Sequence, residues 1–301
     1  MAGQPSTGNH GEIVGAFVLP HGGIAFDPTY FNSLSTTSAA SQREAQLLHD
    51  TSKEVGAIIS KLQPEVIILS TPHGIADLER FLFYLNLADS KGYGTANTDN
   101  YEGPYRLSVD LDNASSQMLI RELVKGGGKV SGVSAFGGAE PIPLRWGEVI
   151  PLSFIPGLEN MKVIIVTQPS RRNSETVKMI PELLDLGALL YKSLLTLGKR
   201  VAVVISADLA HKHDKDGPYE FSATSQPFDE ACGLWASTLD EEALVSTAAK
   251  YVDEARSCGY TGLVMLHGLM KETSLDAWTP KVYVNCHPSY YGMMVASYVK
   301  K

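Results

Sequence analysis

Clusters of positive charge are missing from this 301-residue chain. Lys and Arg number 25 against 33 Asp and Glu, the formal charge is −8, and no basic run exceeds Arg171-Arg172. Binding nucleic acid through its phosphates needs concentrated positive charge, so no nucleic-acid partner is expected. Cysteine is scarce as well. Cys232, Cys258 and Cys286 lie far apart with no C-x-x-C, which argues against a disulfide framework and for a reducing, cytoplasmic setting. Long apolar runs are also absent: none approaches the roughly 18 residues of a membrane helix, and the opening MAGQPSTGNHGE has no signal-peptide centre. A membrane partner is therefore not expected either. The run Gly126-Gly127-Gly128 does not fit the G-x-x-x-x-G-K-[ST] pattern of a phosphate loop and reads as the end of a helix.

What is present is an apolar fraction of 44%, ample for a core. Residues 1–11 read as a flexible tail, and residues 12–301, without repeat or linker, as one domain. Short apolar runs at 13–19, 66–70, 163–167 and 201–206 alternate with helical spacing at 36–62, 114–125 and 177–197. That order predicts an α/β fold with a mostly parallel sheet, whose ligands collect at the carboxyl ends of the strands. A helix is also predicted over 241–254, a hairpin near the C-terminus, and a long loop over 90–106 that is a candidate lid.

Three of the predicted strands run into a histidine. Leu19 leads to Pro20-His21-Gly22, Ser70 to Thr71-Pro72-His73-Gly74, and Ser206 to Asp208 and His211. The strand-helix-strand order predicts that the first two strands are a parallel pair, which sets His21 and His73 a few ångströms apart, and neutral imidazoles so placed suit Zn, Fe, Cu or Ni. His211 is either a third ligand or a general base. His213, in the polar run His-Lys-His-Asp-Lys-Asp, reads as a solvated bystander, and His267, in an apolar run, as a core histidine.

Taken together, LPHGG (19–23), EVIILSTPHG (65–74), VIPLSFI (149–155), ISADLAHKH (205–213), GPYEFSATSQPFDE (217–230) and SCGYTGLVMLHG (257–268) resemble the class III extradiol ring-cleavage dioxygenases. This is the LigB-like family of the protocatechuate 4,5-dioxygenase catalytic subunit, and the pattern is also similar to the related Memo proteins. The resemblance implies a three-layer α/β/α fold and a non-haem Fe(II) held by two histidines and a carboxylate. It implies a catechol-type substrate and O2 as reaction partners, with ring opening beside the diol. On that basis His21 and His73 are the metal ligands and His211 is the acid-base residue. A homodimer is the default assembly, with no surface feature that specifies it.

Two departures bear on this expectation. Where the dioxygenases carry a glutamate ligand, this chain has Ser257-Cys258, with Glu254 one helical turn back; on a continuous helix both side chains share a face. Glu254 would favour oxygen chemistry at Fe(II). Cys258 resembles the Memo pattern, a metal-binding or interaction protein without ring cleavage, and its thiolate makes Zn or Cu more plausible. The second departure is Arg145-Trp146, where the family often has an Asp-His pair. Trp146 can stack on an aromatic substrate and Arg145 can pair with a substrate carboxylate. His287, near the C-terminal segment that often closes the family's pocket, is a further substrate-binding candidate.

Overall fold

The computed structural model describes residues 11–32, 38–87, 90–96 and 105–301. Residues 1–10 of the expected 1–11 tail and residues 97–104 of the expected 90–106 loop lie outside them, while Gly11 is held by a hydrogen bond from its N–H to Leu195 O (2.8 Å). The strands are β1 (Glu12–Leu19), β2 (Val66–Thr71), β3 (Phe81–Tyr84), β4 (Lys91–Thr95), β5 (Arg106–Leu111), β6 (Val130–Val133), β7 (Ile142–Leu144), β8 (Lys162–Thr167), β9 (Arg200–Ser206), β10 (Trp278–Cys286) and β11 (Met293–Lys300). They form one mixed, mostly parallel sheet in the order β10-β11-β1-β9-β2-β8-β5-β4-β7, with β3 pairing β8 and β6. The ends of the expected loop therefore hold the antiparallel pair β4 and β5.

The central strands β1, β9, β2 and β8 are buried along almost their whole length. A strand covered on both faces reads as a continuous apolar run, which is why these four are visible in the sequence. Alternate side chains feed two separate cores. Ile13, Ala16, Val18, Ile68, Val203 and Ile205 face one side, and Val14, Phe17, Leu19, Ile67, Leu69 and Val204 face the other. Helices cover both faces, giving three α/β/α layers. On the first side pack α4 (Ile180–Leu195), α5 (Ser225–Thr238) and α6 (Tyr260–Met270), with α2 (Asn113–Lys125) beside α4. On the second side pack α1 (Ala39–Lys61), through Leu48, Val55 and Ile59, and α3 (Trp146–Ser153), through Val149, Ile150 and Leu152.

Local chemistry sets the helix ends. Ser38 caps α1 by accepting from the Ser41 N–H (3.1 Å), and Asp112 caps α2 through Ser115 N–H (3.1 Å). Gly126 ends α2, followed by Gly127 at φ +90. The helix expected over 241–254 does not form as one piece. It breaks into a π-helical turn (Ala243–Thr247), a 3₁₀ turn (Ala248–Lys250) and a short α turn (Val252–Ala255), after which Arg256 takes φ +54. A left-handed residue reverses the chain, so Glu254 and Cys258 do not share a helical face.

One topological detail was not foreseen. β1 and β2 are not neighbours: β9 lies between them, parallel to both. The strand that ends at Ser206 is thus flanked by the two that deliver His21 and His73.

Among the described residues, no helix is long and apolar enough to cross a membrane.

Candidate metal centre

At the carboxyl ends of β1 and β2, His21 and His73 meet edge to face, with ring centroids 4.7 Å apart and planes at 83°. Cys258, just before α6, completes a group whose candidate ligand atoms all lie within 4.8 Å of one another. Its Sγ is 3.3 Å from His21 Nε2. Among the described residues no other such group of histidine, cysteine and carboxylate ligands occurs.

The centre strand prepares His21 for ligation. Ser206 Oγ lies 2.6 Å from the Gly147 carbonyl and 2.9 Å from His21 Nδ1. A hydroxyl has one hydrogen, and the carbonyl can only accept, so Ser206 donates to Gly147 and accepts from Nδ1–H. That fixes the tautomer with the Nε2 lone pair facing Cys258, the usual way a partner on one ring nitrogen orients the other. Gly147 itself must be small, because a Cβ there would lie 2.7 Å from Thr71 Oγ1 and 2.8 Å from His73 Cβ.

Asp208, read from the sequence only as part of a turn, is the second anchor of His21. Its Oδ1 accepts from the His21 backbone N–H at 3.0 Å and its Oδ2 is 3.3 Å from Nε2. Burial pushes its carboxyl up to about 7. Burial, with the Asp208 carboxylate beside it, likewise holds the Cys258 thiol up at about 12. The imidazoles move the opposite way: burial and neighbouring positive charge hold His73 down at about 3 and His21 well below its ordinary value. Neutral imidazoles, a tautomer with a free Nε2 and a buried thiol are the donors a transition ion requires. A divalent cation reverses the cost of ionising the thiol and the acid. The residues present therefore fit a metal.

His211 stands beside this group. Its Nδ1–H donates to the Leu209 carbonyl (3.0 Å), and the Arg256 backbone interacts with the same ring. Burial holds it neutral, with its pKa lowered to about 4. Tyr291 stacks on it (5.7 Å between centroids, planes 13° apart), and Tyr219 and Tyr290 stand at 6.0 and 6.3 Å.

Trp146, half-buried, lies 5.2 Å from the His73 ring, and the exposed Arg145 guanidinium sits 4.5 Å over the Trp146 indole. Behind them is a buried pair that sequence reasoning missed. Tyr84 OH donates to Glu148 Oε1 (3.0 Å) and accepts from the Ile75 N–H (2.7 Å), while Glu148 Oε2 accepts from the Arg145 N–H (3.0 Å). Burial raises Glu148 to about 7. The pair ties the turn after His73 to the start of α3.

Two expectations are corrected. Glu254 is exposed and paired with Lys212 Nζ at 2.7 Å, so it is not in the ligand group; the left-handed turn at Arg256 separates it from Cys258. His213 is not solvated. Its side chain is 4% exposed, and its Nε2 meets Asp229 Oδ2 at 2.8 Å. His287, expected to bind substrate, is exposed and stacks on His213 (3.9 Å, planes 5° apart).

Over residues 27–299 the sequence matches the family described as the catalytic LigB subunit of aromatic ring-opening dioxygenase, and the chain belongs to that family. An uncharacterized protein, JW3007 from Escherichia coli K12, has the same fold, with a TM-score of 0.54 at 13% identity over 94% of this chain and 99% of that one. No curated protein matches the sequence.

Proposed function

We propose that this chain is an Fe(II)-dependent oxidoreductase that opens a catecholic ring beside its diol with dioxygen. His21, His73 and Cys258 would hold the ion, and His211 would take the substrate's proton. The observation that carries this reading is the state of His211, neutral and tied at Nδ1 to Leu209 O, next to a ligand group. A positioned proton acceptor has a use in diol deprotonation and none in metal storage. Fe(II) bound there would supply open positions for the diol and dioxygen, and the electrons that reduce dioxygen would come from the ring that is opened.

The surrounding residues do the remaining work. Ser206 keeps the His21 ring in one tautomer, and Asp208 holds the His21 backbone N–H. Trp146 offers an aromatic face beside His73, and Tyr291 packs flat against His211. An anionic ligand beside His211 would raise its pKa from about 4 toward the range where a base works best. A cytoplasmic homodimer acting on a small aromatic substrate belongs to the same proposal.

Protein loaded anaerobically with Fe(II) should yellow a catechol panel in air through a ring-opened product. His211→Ala should slow turnover at least tenfold while retaining iron. No absorbance change across a broad panel would overturn this reading.

A second reading, a Memo-like metal-binding protein without ring cleavage, is favoured by one observation: the third donor is a thiol and Glu254 is elsewhere. A thiolate suits Zn or Cu. On that reading the protein retains Zn or Cu in preference to Fe, Cys258→Ser abolishes the preference, and Glu254→Gln does not.

A further inference from the structure

Away from the ligand group, His267 on α6 is wholly buried, and its two ring nitrogens face opposite demands. Nδ1 lies 3.1 Å from Trp235 Nε1 of α5. An indole N–H can only donate, so Nδ1 is the acceptor and the hydrogen of the neutral ring sits on Nε2. Nε2 stands 3.6 Å from Glu241 Oε2, just outside hydrogen-bond reach, and has no partner among the described residues. One nitrogen thus faces a carboxylate that favours the imidazolium, and the other faces a donor that forbids it.

Charged groups reach the ring from two sides. Asp240 and Glu241 come from the connection after α5, and Lys271, just past the end of α6, reaches Glu241 Oε2 at 2.6 Å. α4 packs on α6 backbone to backbone, at Gly187 and Gly268, and the Tyr298 ring of β11 lies 5.9 Å from that of Trp235. Burial holds His267 below its ordinary value, Glu241 and Asp240 pull it up, and Lys271 opposes them.

Protonation places a hydrogen on Nδ1 and sets it against the Trp235 N–H. Two donors cannot share that contact, so the Trp235 bond is lost while the imidazolium gains Glu241 as a partner. We propose that His267 is a proton-operated latch between α5 and α6, closed on Trp235 when neutral and released toward Glu241 when charged. The helices it joins frame the ligand group. α5 carries Asp229, which accepts from the Ala210 N–H beside His211, and α6 starts two residues after Cys258. Acid sets this two-state element whichever metal the group takes.

The test is solvent exchange of the indole N–H groups, followed by NMR on Zn(II)-loaded protein carrying nitrogen-labelled tryptophan, with Trp235→Phe identifying the signal. Trp278 is the internal reference, because its indole N–H donates to Thr273 Oγ1 (2.9 Å) and the Met270 carbonyl (3.3 Å), which do not titrate. Relative to Trp278, Trp235 should exchange at least about tenfold faster at about pH 5 than at about pH 7.5. His267→Gln keeps an acceptor for the indole and does not titrate, so its ratio should stay flat. Glu241→Gln, at a partly exposed position, should move the transition to lower pH by removing the charge that favours the imidazolium. A flat ratio in wild type would overturn the proposal, as would the same fall in His267→Gln or an unmoved transition in Glu241→Gln. Should His267→Gln not fold, the Glu241→Gln shift decides alone.

Discussion

His21 and His73 meet edge to face with centroids 4.7 Å apart, while His213 and His287 stack flat at 3.9 Å. From the residue types alone the two pairs are alike. They differ in what becomes of the ring nitrogens. His21 has Nδ1 committed to Ser206 and Nε2 turned toward Cys258. His213 commits Nε2 to Asp229, whose other oxygen accepts from the Ala210 N–H at 2.9 Å. Asp229 thereby clamps the segment that carries His211, and it packs so closely on Gly292 that a Cβ there would lie 2.0 Å from Oδ2. One pair offers lone pairs to a ligand, and the other holds the loop in place.

The largest expected effect separates the two pairs outright. His21→Ala and His73→Ala should each lower metal affinity by at least 100-fold, because each leaves only two of the three donors that a tight site needs. His213→Ala should leave metal stoichiometry in purified protein unchanged by elemental analysis. Equal metal content in all three variants would erase the distinction.

A smaller effect lies on the loop side. Asp229→Ala strands the Ala210 N–H and the His213 ring in a buried place, and should cost about 3 kcal/mol in denaturant unfolding. Gly292→Ala should destabilise through the same contact. A change under about 0.5 kcal/mol for Asp229→Ala would show that the clamp is not needed.

The smallest effect is a pH slope. In metal-free protein His21, His73 and His211 have folded values held below 6.5, so unfolding takes up protons and stability falls as pH drops from about 6.5 toward 4. Asp208 and Glu148, raised to about 7, act in the opposite sense, losing stability as pH rises from about 4 to about 7. With His267 and His287 also lowered by burial and Asp229 also raised, five imidazoles against three carboxyls leave a net loss on the acid side. His211→Gln should flatten that slope by roughly 1 kcal/mol per pH unit. An unchanged slope in this variant would mean that His211 is not held neutral.

Much of the architecture can be read from the chain because strands buried on both faces stand out as apolar runs. The histidines at their ends are legible for the same reason. Strand neighbours are less so: the insertion of β9 between β1 and β2 depends on long-range packing. Glu254 and Cys258 looked interchangeable until the backbone at Arg256 turned left-handed, a state that an arginine does not advertise. His213 looked solvated because its partner, Asp229, lies a loop away on α5. Asp208 was within reach of a simple rule, since it follows a strand end as His21 and His73 do. It was passed over because a carboxylate after a strand also caps turns.

The central claim is that the third donor to the metal is the Cys258 thiolate. X-ray absorption at the zinc K-edge of Zn(II)-loaded protein tests it directly. One sulfur scatterer at about 2.3 Å beside nitrogen donors, lost in Cys258→Ser and kept in Glu254→Gln, is the predicted result. A first shell of nitrogen and oxygen alone in the wild-type protein would contradict it.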